Sequence, residues 1–274
     1  MNNWRFLNTG LQDGFTNMAI DEVLTTKSVP ADKSSIFRIY GWKPYAISLG
    51  YNQDANELNL AKCKKNGIDI VRRPTGGRAV LHAEEVTYSV IIPKNSDFYS
   101  QDILATYNKI SEGLLAGLLL AGVKAELVER FANETEKSSA YKNSIPCFSH
   151  SAKYEIAVQN KKLVGSAQRR YENAILQHGS ILVGKYHLHL AEYIRQVDEN
   201  HVLVFQQAME KKTISISEVL PHAISYDKLI WAIKTGFQQH FNIHFFEGQL
   251  TPRERIEVKA IVGKYKKVVS EVVD

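Results

Sequence analysis

Apolar residues recur along the chain with two different periods, and these periods predict a mixture of strands and helices. A period near 3.6 predicts helices over 14–27, 102–121 and 227–241. Short apolar runs that end at glycine, proline or asparagine predict strands. The predicted strands cover 4–8, 35–40, 45–50, 69–73, 87–92, 154–159, 162–169 and 174–183.

Turn and cap signals suggest how these segments connect. Residues 41–44 contain glycine and proline, which predicts a hairpin between the second and third strands. Residues 160–161 predict a second hairpin turn. Thr16 or Asn17 is the expected cap of the first helix, and Ser225 is the candidate cap of the helix over 227–241. Residues 251–254 form a capping box with proline at the first helical position, so they predict a final helix.

The order of these elements indicates the fold class. Several hairpins occur, strands and helices do not alternate regularly, and we find no internal repeat or low-complexity linker. A regular βαβ alternation would be needed for a doubly wound parallel sheet. The pattern therefore predicts a single α+β domain, or a mixed α/β domain, over residues 1–274.

Composition narrows the class of protein. The chain has 274 residues, 44% of them hydrophobic and 23% charged, which is ordinary for a globular protein. It contains no apolar run long enough for a membrane span, and its N-terminus lacks a signal-peptide pattern, so we expect a cytoplasmic protein without a membrane partner. The net charge of +5 suits an acidic protein partner or a phosphorylated ligand. It gives no argument for nucleic acid.

Two cysteines are present, and they invite different interpretations. Cys63 lies among lysines in a helical pattern, which indicates a structural thiol. Cys147 follows a proline and a polar segment over 131–145, and the polar residues 149–151 come after it. Free cysteines are commonly buried as small hydrophobic groups. This polar setting instead favours a nucleophile, which would need a nearby positive charge or base.

The segment 71–82 reads Val-Arg-Arg-Pro-Thr-Gly-Gly-Arg-Ala-Val-Leu-His and is open to two interpretations. Paired glycines let a backbone approach a ligand closely, and flanking arginines can neutralise an anion. The same residues would also suit a tight turn between strands, with the arginines in solvent. The segment does not match a phosphate-binding loop, because Gly-Lys-Ser/Thr is missing.

Lys162 and His178 lie on strands that could bring them near Cys147. Lys162 fits either a sheet-edge lysine or a charge that activates a thiol. His178 fits either a buried core histidine or a functional group. The remaining histidines and cysteines occur as isolated pairs, such as residues 147 and 150, so no metal site is expected.

Four motifs in one order resemble a known family. They are Arg-Arg-Pro-Thr-Gly-Gly-Arg-Ala-Val-Leu-His, Pro-Cys-Phe, Lys-Lys-Leu-Val-Gly-Ser-Ala-Gln-Arg-Arg and Leu-Gln-His-Gly-Ser-Ile. Together they resemble the biotin/lipoate A/B protein ligase superfamily, and within it the cysteine-dependent octanoyltransferases. The resemblance implies one catalytic domain over 1–274 without a separate C-terminal accessory domain, built on a mixed, mostly antiparallel sheet flanked by helices.

The resemblance also implies roles for individual residues. Cys147 matches the cysteine that accepts the acyl group, and Lys162 matches the lysine that contacts the reacting carbonyl. The other matched positions are implied to bind the substrate: Arg72, Arg73, Thr75, Gly76, Gly77, Arg78, Ala79, His82, Gly165, Ser166, Ala167, His178 and Gly179.

The implied activity is transfer of octanoyl from octanoyl-acyl carrier protein to a lysine of a lipoyl domain, in glycine cleavage H protein or an E2 subunit, through acyl-Cys147 and without a cofactor. Three alternatives stay open: an ATP-dependent lipoate ligase, an amidotransferase between lipoyl domains, and a non-catalytic binding protein. Arg78 stands where ligases commonly carry a third glycine, and fewer than 100 residues follow Ser180. Both features weigh against the ligase.

Overall fold

The computed structural model describes residues 3–29, 34–129, 154–195 and 199–270. Strands and helices alternate irregularly along them. The strands are β1 (Asn3–Gln12), β2 (Ile36–Trp42), β3 (Ala46–Leu49), β4 (Asp69–Arg72), β5 (Val80–His82), β6 (Glu85–Pro93), β7 (Glu126–Glu129), β8 (Tyr154–Val158), β9 (Lys161–Arg170), β10 (Ala174–Leu182) and β11 (His244–Gly248).

The helices lie on both sides of the strands. They are α1 (Gly14–Val23), α2 (Leu60–Lys65), α3 (Ile103–Leu120), α4 (Glu199–Lys212), α5 (Ile216–Val219), α6 (Tyr226–Phe241) and α7 (Pro252–Ser270). A π-helical turn, Leu24–Ser28, extends α1, and 3₁₀ segments occur at Ala55–Glu57 and Tyr186–Tyr193.

Two sheets form the framework. The large sheet has the order β11-β1-β2-β6-β10-β9-β8-β7, and the small sheet has the order β4-β3-β5. β1 pairs in parallel with both β11 and β2, and every other pairing in the large sheet is antiparallel. The prediction of a mixed, mostly antiparallel sheet flanked by helices is therefore confirmed.

One face of the large sheet carries an aromatic core under α3 and α6. Phe37 of β2 packs against Phe237 of α6 with ring centroids 4.8 Å apart, and Trp4 lies 5.7 Å from the same ring. Glycines allow the two helices to approach closely. A Cβ at Gly236 of α6 would lie only 2.4 Å from Gly117 of α3. The helices α3 and α6 pack on this face of the large sheet. The pocket lies at the opposite face, beneath α1 and the small sheet.

The predicted hairpin over 41–44 is wrong. β2 and β3 do flank these residues, but β2 pairs with β1 and β6, whereas β3 pairs with β4 and β5. Glycine and proline signal a change of chain direction, not which strands will share hydrogen bonds. Because both edges of β2 are occupied, the chain crosses from one sheet to the other at this point.

Two smaller predictions were also wrong. The β8–β9 turn lies at Gln159 and Asn160, whose φ angles are 51° and 61°, one residue earlier than predicted. The N-cap of α1 is Asp13, whose carboxylate accepts from the Thr16 amide at 2.7 Å, not Thr16 or Asn17.

Other predicted boundaries hold. Ser225 caps α6, and Thr251 and Glu254 form the capping box of α7. The sequence analysis missed β5, β7, β11, α4 and α5. The polar segment over 131–145 lies outside the described residues. Within the described ranges, every helix is too short or too polar to cross a membrane.

Candidate acyl-binding site

A pocket lies between the face of the large sheet and the small sheet. α1, β2 and β6 form one wall, β9 and β10 form the floor, and the segment 73–82 closes the other side. The lining residues are Met18, Tyr40, Trp42, Ser48, Arg73, Val80, His82, Thr87, Gly165, Ser166, Ala167, His178, Gly179 and Ser180.

Arg73 holds the loop that follows β4. Its guanidinium donates to the Gly76 carbonyl at 2.8 Å, the Arg78 carbonyl at 2.7 Å and the Ser48 carbonyl at 2.8 Å. The side chain is only 4% exposed. A charged group buried with this many carbonyl acceptors fixes backbone geometry, so Arg73 shapes the pocket wall.

The glycines of this loop allow a close contact between two protein backbones, while their approach to a ligand stays a prediction. Gly77 has a φ angle of 97°, which is accessible mainly to glycine. A Cβ at Gly50 would lie 1.9 Å from the Gly77 carbonyl oxygen, so the two backbones touch. A Cβ at Gly76 would meet nothing within 4 Å. Gly76 therefore faces open space, while Gly77 packs the loop against the strand β3.

A first chain of hydrogen bonds, here the Asp21 chain, runs from Asp21 through His178 to Thr75. The Asp21 carboxylate lies 3.2 Å from His178 Nδ1, and His178 Nε2 lies 2.6 Å from the Thr75 hydroxyl. Burial lowers the pKa of His178, although Asp21 acts to raise it. The imidazole is therefore neutral near pH 7, with Nδ1–H donating to Asp21 and Nε2 accepting from Thr75.

Arg38 balances the charge of Asp21. Its guanidinium donates to Asp21 Oδ1 at 2.6 Å, and both side chains are fully buried. Tyr40 and Ser89 also donate to this carboxylate, at 3.1 and 2.9 Å. Burial acts to raise the pKa of Asp21, but Arg38 and His178 outweigh it and lower the pKa. The carboxylate is consequently ionised beneath the pocket.

A second chain, here the Glu85 chain, runs from Glu85 through His82 to Ser48. Glu85 Oε1 lies 2.8 Å from His82 Nδ1, and His82 Nε2 lies 2.7 Å from the Ser48 hydroxyl. The hydroxyls of Thr87 and Ser180 donate to the same Oε1 at 2.5 and 2.8 Å. Among the described residues, Glu85 Oε2 is buried with no hydrogen-bond partner.

His82 is also fixed by an aromatic contact. Its ring stacks on Trp42 with centroids 4.1 Å apart and an interplanar angle of 14°. Trp42 Nε1 in turn donates to the Thr87 hydroxyl at 2.7 Å. The His82 ring therefore has a defined orientation at the pocket wall. It lies next to the hydroxyl groups that also bind the Glu85 carboxylate.

The floor is the ladder between β9 and β10. Ser166 pairs with Gly179, and Ala167 pairs with His178. A Cβ at Gly179 would lie 2.4 Å from the Gly165 carbonyl oxygen, so a side chain at this position would displace the neighbouring strand. The Ser166 hydroxyl accepts from Tyr88 at 2.7 Å. Small residues therefore line this floor, and a larger side chain at Gly179 would disturb it.

Lys162 is buried on β9, three residues before Gly165. Its ammonium lies 2.6 Å from the Glu155 carboxylate of β8, and Lys162 is 6% exposed. This is not the exposed lysine of a sheet edge. Lys162 is not one of the residues that line the pocket between the two sheets.

Only one of the two cysteines, Cys63, lies among the residues that the structure describes. Cys147 lies outside the described residues, so its place relative to Lys162 and His178 stays a prediction. Cys63 is fully buried on α2, and burial raises the pKa of its thiol to about 12. A thiol with this pKa is protonated near pH 7 and is a poor nucleophile, which agrees with its interpretation as a structural residue.

Six of the residues implied to bind substrate are not among those that line the pocket: Arg72, Thr75, Gly76, Gly77, Arg78 and Ala79. Arg72 donates to the carbonyls of Gly50 and Gln53, at 3.0 and 2.5 Å, and so holds the adjacent turn. Arg78 lies 3.9 Å from Glu57, and Ala79 is packed in the core of the small sheet. Whether they contact substrate stays a prediction, as do the binding roles of the lining residues.

The sequence analysis missed the residues that organise the two chains. Asp21, Arg38, Ser48 and Glu85 were not singled out, although each is 5% exposed or less. Charged residues inside apolar segments are a usable signal, since burial of a charge requires a partner. In the described part of the chain, no group of three or more histidines, cysteines or carboxylates could hold a metal ion.

The fold and pocket define a class of catalytic domain that is known from solved structures. A bipartite lipoate protein ligase from Thermoplasma acidophilum superposes with a TM-score of 0.77 and 24% identity, covering 96% of this chain and 93% of that chain. At this identity, the likeness shows the fold alone. It is the fold of a lipoate ligase catalytic domain.

Sequence comparison then gives the family. Residues 13–238 match the family described as the lipoyl protein ligase A/B catalytic domain, and the chain belongs to that family. The octanoyltransferase LipM of Clostridioides difficile (strain 630) is 37% identical over 270 residues, covering 97% of both chains. The octanoyltransferase LipM of Staphylococcus aureus (strain NCTC 8325 / PS 47) is 34% identical, covering 96% of both. The chain is an acyltransferase.

Proposed function

We propose that the chain transfers octanoyl from octanoyl-acyl carrier protein to a lysine of a lipoyl domain, such as that of glycine cleavage H protein or an E2 subunit, in lipoate biosynthesis. The observation that carries this proposal is the 37% identity to an octanoyltransferase over 97% of both chains. The pocket between the sheets supports it, because small residues on β9 and β10 line its floor.

The proposed reaction has two steps. The thiolate of Cys147 attacks the thioester carbonyl of the donor, a new thioester forms on Cys147, and the donor thiol leaves. The neutral amine of the target lysine then attacks this thioester, an amide forms, and the Cys147 thiolate leaves. Exchange of one thioester for another is close to neutral in energy and amide formation is downhill, so the proposal needs no ATP and no cofactor.

Lys162 has the electrostatic role in this proposal. A protonated lysine near Cys147 lowers the pKa of the thiol and stabilises the oxyanion that develops in each step. Removal of one such donor typically costs about 2.7–4 kcal/mol of transition-state stabilisation. Support comes from the burial of Lys162 at 6% exposure, because a buried ammonium acts in a medium of low polarity.

The remaining predicted residues have binding roles. Gly165 to Ala167 with Gly179 line the pocket and form the surface on which the acyl chain lies. Gly76 and Gly77 let the neighbouring loop approach that chain. His82 and His178 shape the pocket through their hydrogen bonds. The basic net charge of +5 favours encounter with an acidic carrier protein.

Intact-protein mass spectrometry after mixing with octanoyl-acyl carrier protein tests the proposal. We expect an octanoyl adduct on the wild type, its loss in Cys147→Ser, and its retention in the matched control Cys63→Ser. Full activity of Cys147→Ser would overturn the acyl-cysteine mechanism.

A comparison of donors separates the proposal from its alternatives. Octanoyl-acyl carrier protein should be preferred. Efficient use of octanoylated H protein would indicate an amidotransferase, and ATP-dependent release of pyrophosphate with free lipoate would indicate a ligase.

A further inference from the structure

Glu155 and Lys162 form an ion pair inside the β8–β9 hairpin. Lys162 Nζ donates to Glu155 Oε1 at 2.6 Å, and the two residues are 6% and 3% exposed. The ladder between the strands shifts register at this point, so Ala157 pairs with Lys162 while Ile156 pairs with Val164. Bulges of this kind redirect a side chain and often lie beside functional sites.

The backbone of Lys162 is held from the opposite side. The Ile214 amide donates to the Lys162 carbonyl at 3.1 Å, and Thr213 forms a parallel bridge with Lys162. The Thr213 hydroxyl lies 2.9 Å from His187 Nε2. The segment after α4 therefore fixes the position of the Lys162 backbone, while Glu155 holds the ammonium.

The described charged groups near Lys162 give Glu155 a distinct role. His187 is neutral at ordinary pH, because burial lowers its pKa to about 4. Lys161, the next residue along β9, donates to the Glu210 carbonyl at 3.0 Å. Glu155 therefore supplies negative charge in direct contact with the Lys162 ammonium. Charge-assisted hydrogen bonds of this length are stronger than neutral ones, so Glu155 restrains the position of the ammonium.

We propose that Glu155 is a positioning residue, which directs the Lys162 ammonium for the acyl transfer. The inference rests on the proposed function, since it assigns a role to the lysine that is to act on the reacting carbonyl. Glu155 itself contacts the lysine and not the substrate. Its effect should therefore fall on the rate of acylation, with little effect on donor binding.

The test measures octanoylation of Cys147 in single turnovers at several donor concentrations, with intact-protein mass spectrometry as the readout. Glu155→Gln should lower the maximal acylation rate by about 10-fold or more. The rate should fall because a neutral amide holds the ammonium less tightly than a carboxylate does. The donor concentration at half-saturation should change little.

A second variant, Glu155→Asp, tests the same role if Glu155→Gln folds poorly. Glu155→Asp keeps the charge but shortens the side chain by one methylene. Its acylation rate should fall below that of the wild type because the contact with Lys162 is longer, while its half-saturating donor concentration should match the wild type. A wild-type rate in Glu155→Asp would contradict positioning.

Glu254→Gln is the matched control. Glu254 is likewise buried, at 5% exposure, and accepts from Arg5 at 2.6 and 2.8 Å. Neither residue lines the pocket. This variant should lower the melting temperature and leave the rate and the half-saturating donor concentration of acylation unchanged.

Two failures can be told apart. If Glu155→Gln acylates at the wild-type rate, Glu155 is a structural residue and the proposed function stands. If wild-type enzyme forms no octanoyl adduct on Cys147, the proposed function itself fails, whatever the variants do.

Discussion

Two chains of hydrogen bonds, the Asp21 chain and the Glu85 chain, each place a histidine at the same pocket. Different groups bind the Asp21 carboxylate and the Glu85 carboxylate. Asp21 has a buried guanidinium, Arg38, at 2.6 Å and an ionised carboxylate. Glu85 receives hydrogen bonds on Oε1 from His82, Thr87 and Ser180, and its Oε2 has no partner in the described ranges. One chain is anchored by an ion pair and the other by hydroxyl and imidazole donors.

This difference predicts how much stability the protein loses when the carboxylate of each hydrogen-bond chain is neutralised. Neutralising a carboxylate that pairs with a buried cation leaves that cation unpaired, which is strongly destabilising. Neutralising a carboxylate that accepts from hydroxyl groups weakens those hydrogen bonds but leaves no charge exposed to an apolar interior. Two arrangements with the same residue classes should therefore respond differently to the same chemical change.

The largest effect is expected for Asp21→Asn. This change removes the charge that balances Arg38, which is fully buried. The free energy of unfolding should fall by about 3–5 kcal/mol. Urea denaturation monitored by circular dichroism measures this. A loss below about 1 kcal/mol would show that Arg38 finds other compensation, and would break the comparison.

Glu85→Gln is the matched change in the other chain, and its effect should be smaller. The amide oxygen can keep the three contacts of Oε1, at 2.5–2.8 Å, although a neutral acceptor is weaker than a carboxylate. We expect a loss of about 1–2 kcal/mol in the same urea experiment. If the loss equals that of Asp21→Asn, the distinction between the two anchors is wrong.

The pH dependence of stability sharpens the comparison further. His178 has a lowered pKa when folded, so its contribution to stability is present above the unfolded value of 6.5 and is lost as the pH falls toward the folded value. His178→Asn removes this contribution and leaves an amide that can still donate to Asp21. The stability difference between wild type and His178→Asn should therefore narrow from pH 7 to pH 5.

That measurement contains its own control. Burial lowers the pKa of His187 to about 4, so it also destabilises the folded chain as the pH falls. Because His187 is present in both proteins, its contribution cancels in the difference. A difference that stays constant between pH 7 and pH 5 would show that His178 does not titrate differently on folding.

The smallest effects are expected at the hydroxyl ends. Thr75→Val leaves His178 Nε2 without its donor at a fully buried position and should cost about 1 kcal/mol. Ser48→Ala should cost less, because His82 keeps its stacking on Trp42 and its contact with Glu85. Thermal denaturation of the two variants side by side checks this order, and the reverse order would contradict it.

The sequence predicted the local elements well where a signal acts over a few residues. Helix α3 runs from Ile103 to Leu120 within the predicted 102–121, and the caps of α6 and α7 are the predicted ones. Periodicity and capping depend on neighbours in sequence, so they can be read from it. β7 and β11, which are four and five residues long, carried too little pattern to be predicted.

The candidate site was predicted in part. The segments 72–82 and 165–179 were expected to meet, and Arg73, His82, Gly165, Ser166, Ala167, His178 and Gly179 do line one pocket. Their approach required knowledge of the family's motifs, because nothing in their spacing states that β10 lies opposite the small sheet. Asp21 and Arg38 were missed since each appears in sequence as an ordinary charged residue near an apolar segment.

The sequence alone determined most of the elements and their boundaries, the mixed fold class and part of the candidate site. Only the tertiary structure decided the partners: β2 and β3 belong to different sheets, Arg73 serves the backbone, and Lys162 is paired with Glu155 inside a hairpin. The physical reason is the distance along the sequence over which each kind of interaction acts. Propensity and capping act between near neighbours, whereas the balance of a buried charge is set by groups that folding brings together from distant parts of the chain.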